Sequence, residues 1–131
     1  LEELLVEQAR LGRFNHKFIQ DPGIAWDKIS ERIKINLYRI AQESLHNIIK
    51  YAHCQSVEVS IRKKEKRVVL RIADDGKGFD VKRRSKGIGL KNMKSRSKQV
   101  GADFSIRSQP NEGTTIQITI QTKRIYDKRE V

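Results

Sequence analysis

Three polar side chains near the middle of the chain are spaced by turns of a predicted helix. Glu43 and Asn47 lie four residues apart, and Lys50 follows three residues later, so a helix would place all three near one face. An amide oxygen can ligate Mg²⁺, which prefers oxygen ligands, and a carboxylate can orient or deprotonate a neighbouring group. The set suits a metal ion with a phosphate chain, although the same spacing is common on the solvated edge of an amphipathic helix.

A second polar group follows a predicted strand. Asp74 is followed by Gly76 and Gly78, and glycines let the backbone approach a ligand closely or adopt positive φ. A carboxylate in this position is suited to accept a hydrogen bond from an amine. The segment is not a Rossmann fingerprint, because no helix begins at the glycines, and it is not a Walker loop. An ordinary turn is the alternative interpretation.

Two further segments contain glycine. Residues 87–90, Gly-Ile-Gly-Leu, stand where a helix is predicted to begin, and backbone N–H groups at a helix start can receive phosphate oxygens. The polar, basic residues 80–86 before them are typical of a mobile lid or of an ordinary surface loop. Residues 113–114, Gly-Thr, enter the last predicted strand, and this pair alone indicates nothing.

Hydrophobic periodicity predicts the elements that position these residues. Helices are predicted over 1–10, from Ser30 to about Ala52, and over 90–100, and strands over 14–19, 57–61, 68–72, 104–106 and 116–120. Hairpins join neighbouring strands, which disfavours an all-parallel sheet. We therefore expect an α/β protein, a two-layer α/β sandwich with a mixed, mostly antiparallel sheet and helices on one face.

Composition excludes several classes of protein. The 131 residues fit one domain, and no apolar stretch approaches the roughly 18 residues of a membrane span. A single cysteine, Cys54, excludes an intramolecular disulfide and fits a reducing cytoplasm. The chain begins with Leu1 and shows no signal peptide, so a fragment of a longer protein is expected. The domain is expected over 1–122, with a polar, frayed tail at 123–131.

The order of the four motifs resembles the Bergerat ATP-binding fold of histidine kinases, DNA gyrase, heat-shock chaperones and mismatch-repair ATPases. Residues 38–52 resemble the N box of histidine kinases, 74–79 their first Gly box and 87–93 their second. The run Leu90-x-x-Met93-x-x-Arg96 resembles the subgroup that pairs with helix-turn-helix response regulators. The resemblance covers roughly residues 3–122.

This resemblance implies the catalytic ATP-binding domain of a bacterial sensor histidine kinase. Such a domain binds Mg-ATP and supplies the γ-phosphate to a histidine on a separate helical dimerisation domain upstream. The resemblance implies that Glu43 is the catalytic group at the γ-phosphate, that Asn47 is the Mg²⁺ ligand, and that Lys50 and Tyr51 lie near phosphate. It implies that Asp74 accepts a hydrogen bond from the adenine amine, that Gly76 and Gly78 lie beside the base, and that Thr114 supports Asp74. Gly87 and Gly89 are implied to be hinges of the lid, and Leu90 is implied to lie at the nucleotide with them. Tyr51 departs from the His of many subgroup members.

The resemblance also implies partners and a location. The partners are the upstream phosphoacceptor domain and a cognate response regulator, without direct nucleic-acid binding, and the isolated domain is expected to be a monomer. It is expected in the cytoplasm, with a parent protein that is either soluble or inserted in the inner membrane.

Two alternatives stay open at this point. The same fold occurs in serine/threonine kinases of the anti-sigma-factor type, which phosphorylate a protein serine. The net charge of +12 also suits a binder of nucleic acid or of an anionic surface. That function favours aromatic side chains among the basic residues, and the chain has only three Tyr, four Phe and one Trp.

Overall fold

The computed structural model describes residues 1–80 and 89–125. Helix α1 spans Glu2–Gly12, and α2 spans Glu31–Asn47 and continues as a π-helical turn over Ile48–Ala52. The remaining helices are α3, Leu90–Gln99, and α4, Thr122–Ile125. The strands are β1 Asn15–Gln20, β2 Ser56–Lys64, β3 Arg67–Asp74, β4 Asp103–Ser108 and β5 Thr114–Gln121. A 3-10 turn covers Trp26–Lys28.

Within the described ranges the strands form one sheet in the order β1-β2-β3-β5-β4. Strand β1 pairs parallel to β2, and every other pairing is antiparallel. The mixed, mostly antiparallel sheet predicted from the sequence is therefore confirmed. The register brings the end of β3 beside the start of β5, since Asp74 pairs with Thr114.

The core lies between one face of this sheet and the helices. Val57, Val59 and Ile61 alternate along β2 and are buried, as period-2 patterning requires. The buried stripe of α2 repeats at helical spacing and comprises Ile33, Leu37, Ile40, Ala41 and Leu45. Helix α3 adds Leu90 and Met93 to the same core. No helix in the described part of the chain is long and apolar enough to cross a membrane.

The segment after β5 differs from the expectation of a frayed tail beginning at Lys123. Residues 122–125 form helix α4, and Ile125 is 0% exposed within the core. The N–H of Ser30, just before α2, donates to the Ile125 carbonyl at 3.0 Å. A single apolar residue in a polar run creates no periodicity, so the sequence pattern did not indicate this packing. Residues 126–131 of the predicted tail lie outside the described residues.

Candidate functional site

A cavity of about 290 Å³ opens between the end of α2, the end of β3, the start of β5 and the start of α3. Its apolar walls comprise Ile48, Ile72, Leu90, Met93, Ile106 and Ile116. The sequence-predicted site residues that line it are Asn47, Tyr51, Asp74, Gly78, Leu90 and Thr114. Residues from all four motifs therefore meet in one largely apolar cavity, which is the usual form of a small-molecule site.

The π-helical turn at the end of α2 forms one wall of the cavity. Ile48, Tyr51 and Ala52 belong to this turn and all line the cavity. Such turns are rare and occur frequently at functional sites. Lys50, from the same turn, is exposed and lines neither of the two cavities described here.

Asp74 supplies a half-buried carboxylate where β3 ends. Burial is the largest influence on this carboxyl and raises its pKa, and the neighbouring Asp75 charge acts in the same direction. Backbone N–H groups of Gly76, at 2.8 Å from Oδ1, and of Thr114 oppose the shift. The carboxylate is thus held by the Gly76 N–H within an apolar cavity.

Thr114 belongs to a network that the sequence did not reveal. Its hydroxyl lies 2.8 Å from the hydroxyl of Ser108, which also donates to the Gly113 carbonyl at 3.0 Å. The backbone N–H of Phe79 donates to the same Ser108 oxygen at 2.9 Å. Ser108 stands in no motif, and only the antiparallel register of β4 and β5, which pairs it with Thr114, identifies it.

Asp75 has a different role from its neighbour. Its carboxylate accepts the N–H groups of Gln55 and Ser56 at 2.9 and 3.0 Å, together with the Ser56 hydroxyl at 3.1 Å. Hydrogen bonding, first from the Ser56 backbone, lowers the pKa of Asp75. This residue ties the start of β2 to the end of β3 and so fixes the backbone that carries Asp74.

The first glycine segment packs against neighbouring backbone. A Cβ on Gly76 would collide with the Ala52 carbonyl, and the Lys77 N–H donates to that same carbonyl at 2.7 Å. Gly78 has φ +61°, and a Cβ there would collide with the Gln109 carbonyl. Gly76 therefore lies behind the cavity wall as a packing residue, whereas Gly78 lines the cavity.

The structure places Glu43 outside the main cavity. It lines a second, polar cleft of about 140 Å³ between α2 and α3. A Cβ on Gly89, which has φ +73°, would collide with the Glu43 carboxylate, so this carboxylate lies at the positive end of α3. Gly87 lies outside the described residues.

Met93 separates the two cavities and lines both. Its side chain is buried, and the Ser44 hydroxyl, which donates to the Ile40 carbonyl at 2.8 Å, also lies 3.3 Å from the Met93 sulfur. Because one side chain forms the dividing wall, a group bound in one cavity lies beside the other.

Residues 33–124 match the family described as histidine kinase-, DNA gyrase B- and HSP90-like ATPases. The chain belongs to this ATPase family. It is 38% identical over 92 residues to the sensor protein VraS of Staphylococcus aureus. The aligned residues are 70% of this chain and 26% of VraS. The chain is 35% identical over 104 residues to VraS of Staphylococcus haemolyticus, covering 79% and 30%. The chain thus spans about a quarter to a third of the length of these relatives.

Solved structures of histidine kinases share the fold of this ATPase domain. The histidine kinase domain of the blue-light activated kinase EL346 from Erythrobacter litoralis superposes with a TM-score of 0.77 at 14% identity, covering 93% of this chain and 59% of that chain. Full-length ShkA in complex with AMPPNP gives a TM-score of 0.74 at 16% identity, covering 95% and 28%. At such identities the likeness concerns the fold, and it confirms the predicted two-layer architecture.

The main cavity contains an oxygen donor that could hold a metal ion carried by a bound nucleotide. In residues 1–80 and 89–125 no three His, Cys, Asp or Glu side chains cluster to hold a metal ion. Asn47 places an amide in the cavity. One protein oxygen fits Mg²⁺, which commonly takes its other ligands from substrate phosphates and water.

Proposed function

We propose that the chain binds Mg-ATP in the main cavity and supplies the γ-phosphate to a histidine on a separate helical dimerisation domain. The observation that carries this proposal is that Asp74 and Asn47, from two distant motifs, line one cavity of a chain that belongs to the ATPase family. The first side chain is a hydrogen-bond acceptor and the second a magnesium ligand.

Asp74 recognises the adenine in this proposal. Its carboxylate, held by the N–H group of Gly76, accepts a hydrogen bond from the exocyclic amine. The flat base is buried between apolar walls that include Ile72 and Met93, and removing its faces from water contributes to affinity. A purine with a carbonyl in place of the amine would leave the buried carboxylate without a donor, and such a mismatch is costly.

The phosphates of ATP lie at the other end of the site in this proposal. Asn47 would hold Mg²⁺ with its amide oxygen, and Glu43 would orient groups at the γ-phosphate as the catalytic residue. Lys50 and Tyr51, together with Gly89 and Leu90 at the start of α3, would lie along the phosphates, and Gly87 would serve as a lid hinge. Bound Mg²⁺ supplies charge neutralisation. The protein contributes position and electrostatics, which account for most of catalysis in phosphoryl transfer.

The identity of the acceptor is supported by the relatives. Those found in the two staphylococci are sensor proteins, and the structural neighbours are histidine kinases. This favours a histidine acceptor over a protein serine, and it favours a cytoplasmic domain, where ATP is available. We extend the proposal to a cognate response regulator of the helix-turn-helix type as the later recipient of the phosphoryl group.

Calorimetric titration with ADP tests the adenine assignment. Asp74→Asn is expected to weaken binding at least about tenfold, because a hydrogen bond to a charged, desolvated acceptor is lost. Asp103→Asn, which removes the same charge from an exposed position on β4, is the matched control and should bind like the parent chain. Equal affinity of the Asp74 variant and the parent chain would refute the assignment, and titrations with ATP in Mg²⁺ or EDTA measure the contribution of the metal.

A further inference from the structure

The hydrogen bonds around Ser108 on β4 can all form in only one arrangement of their hydrogens. The Ser108 hydroxyl oxygen accepts the Phe79 N–H at 2.9 Å and donates to the Gly113 carbonyl at 3.0 Å. It also lies 2.8 Å from the Thr114 hydroxyl, and either oxygen could be the donor there. A serine hydroxyl has one hydrogen and two lone pairs, and a carbonyl has no hydrogen. When the serine hydrogen lies on the Gly113 contact, the Thr114 hydroxyl must therefore donate to Ser108.

The reverse arrangement leaves a buried group without its donor. If Ser108 donated to Thr114, the Gly113 carbonyl would lose the hydrogen that the 3.0 Å contact supplies. Gly113 is buried, and an unsatisfied buried acceptor is costly. The Phe79 N–H already occupies one Ser108 lone pair, so the Thr114 hydrogen takes the other. Thr114 is therefore the donor of the hydroxyl pair.

The direction of this hydrogen decides what Thr114 offers to the main cavity. Thr114 lines the cavity, and with its only hydrogen directed at Ser108 it has lone pairs alone for a ligand. Asp74, which lines the same cavity, is its direct partner in the β3–β5 register, and such partners have Cβ atoms about 5 Å apart. This end of the cavity therefore offers a carboxylate and a hydroxyl oxygen side by side, both as acceptors.

Two neighbouring acceptors select the edge of a purine that donates. An exocyclic amine has two hydrogens and can satisfy both oxygens, directly or through water. A purine carbonyl at the same position has no hydrogen and meets two acceptors, and sites built in this way reject an analogue that leaves their polar groups unpaired. A Thr114 hydroxyl released from Ser108 could rotate and donate to that carbonyl. The rejection of the carbonyl therefore depends on the serine.

We propose that Ser108 determines the preference of the site for adenine over a purine with a carbonyl in place of the amine, because it holds the Thr114 hydroxyl as an acceptor. The proposal rests on the proposed function for the nature of the ligand, whereas the arrangement of hydrogens depends on the described residues alone. Ser108 lines neither of the two cavities described above, so it acts on the ligand through Thr114 as a positioning residue.

Calorimetric titration with ADP and with inosine diphosphate, which carries a carbonyl in place of the amine, tests this preference. The parent chain should bind ADP at least about tenfold more tightly. Ser108→Ala should reduce the ratio of the two affinities at least about fivefold, because the Thr114 hydroxyl can then donate to the carbonyl. Ser108→Thr keeps a hydroxyl at this position and should restore the parent ratio. The matched control, Ser105→Ala, removes a hydroxyl from an exposed position of the same strand and should leave the ratio within about twofold.

A second background separates this role from general support of the structure. In Thr114→Val, which has no hydroxyl to orient, Ser108→Ala should change the ratio no further, since the two residues act as one unit. The same change in both backgrounds overturns the proposal. So does weaker binding of both nucleotides by the Ser108 variant at an unchanged ratio, because Ser108 would then only stabilise the surrounding backbone. Ser108→Cys, which has a weaker hydrogen-bonding group, replaces the alanine variant if that variant does not show the melting transition of the parent chain.

Neutron diffraction from a deuterated crystal of the nucleotide-free chain locates the hydrogens directly. The hydrogen between the two hydroxyl oxygens should belong to Thr114, and the Ser108 hydrogen should point at the Gly113 carbonyl. A Ser108 hydrogen directed at Thr114 contradicts the proposal. If the parent chain binds neither nucleotide, the proposed function fails and the adenine preference fails with it, while the diffraction result still decides the arrangement of hydrogens.

Discussion

Two adjacent carboxylates where β3 ends have opposite environments. Burial raises the pKa of Asp74, whereas hydrogen bonds from residues 55 and 56 lower the pKa of Asp75. The charge on Asp74 therefore opposes folding at neutral pH, and this unfavourable contribution disappears when the group is protonated. The charge on Asp75 favours folding. One residue holds an acceptor ready for a ligand, and its neighbour stabilises the backbone that positions it.

Asp75 should stabilise the fold only where it is ionised. Because its pKa is lowered in the folded protein, its contribution is present above the unfolded value of about 3.9 and is lost as the pH falls through the folded pKa. We expect Asp75→Asn to reduce the free energy of unfolding at pH 7 by about 1–2 kcal/mol through weakened hydrogen bonds. The difference from the parent chain should shrink towards pH 3.

Urea unfolding at both pH values measures this effect. Asp103→Asn is again the control, since its side chain accepts no hydrogen bond from the described residues, and it should change stability by less than about 0.5 kcal/mol. A loss that is as large at pH 3 as at pH 7 would show that the Asp75 charge is not the source.

At the scale of elements, the site depends on close contact between the loop after β3 and the end of α2. The sequence predicted that Gly76 and Gly78 allow a close approach, and it assigned that approach to a ligand. In the structure the near neighbour of Gly76 is the Ala52 carbonyl, and that of Gly78 is the Gln109 carbonyl. Motif spacing reveals that space is needed but does not identify which atoms fill it, because that depends on tertiary packing.

Gly76→Ala should disturb this contact. The added methyl group meets backbone, which cannot move aside as a side chain can, so we expect a loss of about 1–3 kcal/mol in stability together with weaker nucleotide binding. Gly23→Ala is the matched control, because a Cβ there meets nothing within 4 Å and the residue has no positive φ. That variant should be unchanged or stabilised by up to about 1 kcal/mol. Comparable losses in the two variants would mean that glycine content, and not the Ala52 contact, governs the effect.

At the scale of the whole molecule, patterns with several members were predictable and single contacts were not. Alternation in β2, β3 and β5 and the long stripe of α2 identified the sheet and its covering helix. The order of the motifs predicted from the sequence alone that Asn47, Asp74 and Thr114 belong to one site. The position of Glu43 in a separate cleft, the Ser108 network and the packing of Ile125 each depend on a contact between one residue and another that is distant in the sequence. Such a single contact produces no repeating pattern in the sequence, so it could not be predicted.

Ile125 tests where the folded unit ends. Its side chain is fully buried, and its carbonyl accepts the Ser30 N–H at the start of α2, so α4 joins the end of the sheet to the central helix. We expect Ile125→Ala to lower the free energy of unfolding by about 2–4 kcal/mol, measured by urea unfolding. ADP affinity below the melting transition should be unchanged, since Ile125 lines neither cavity.

Ile35→Ala removes the same side chain at a position that is 55% exposed, and its cost should stay below about 1 kcal/mol because little apolar surface leaves the core. An Ile125 variant as stable as the parent chain would show that residues 123–125 contribute nothing to the fold. The domain would then end at 122, as the sequence alone predicts. A large loss that also abolished ADP binding at low temperature would instead indicate that α4 supports the site through α2.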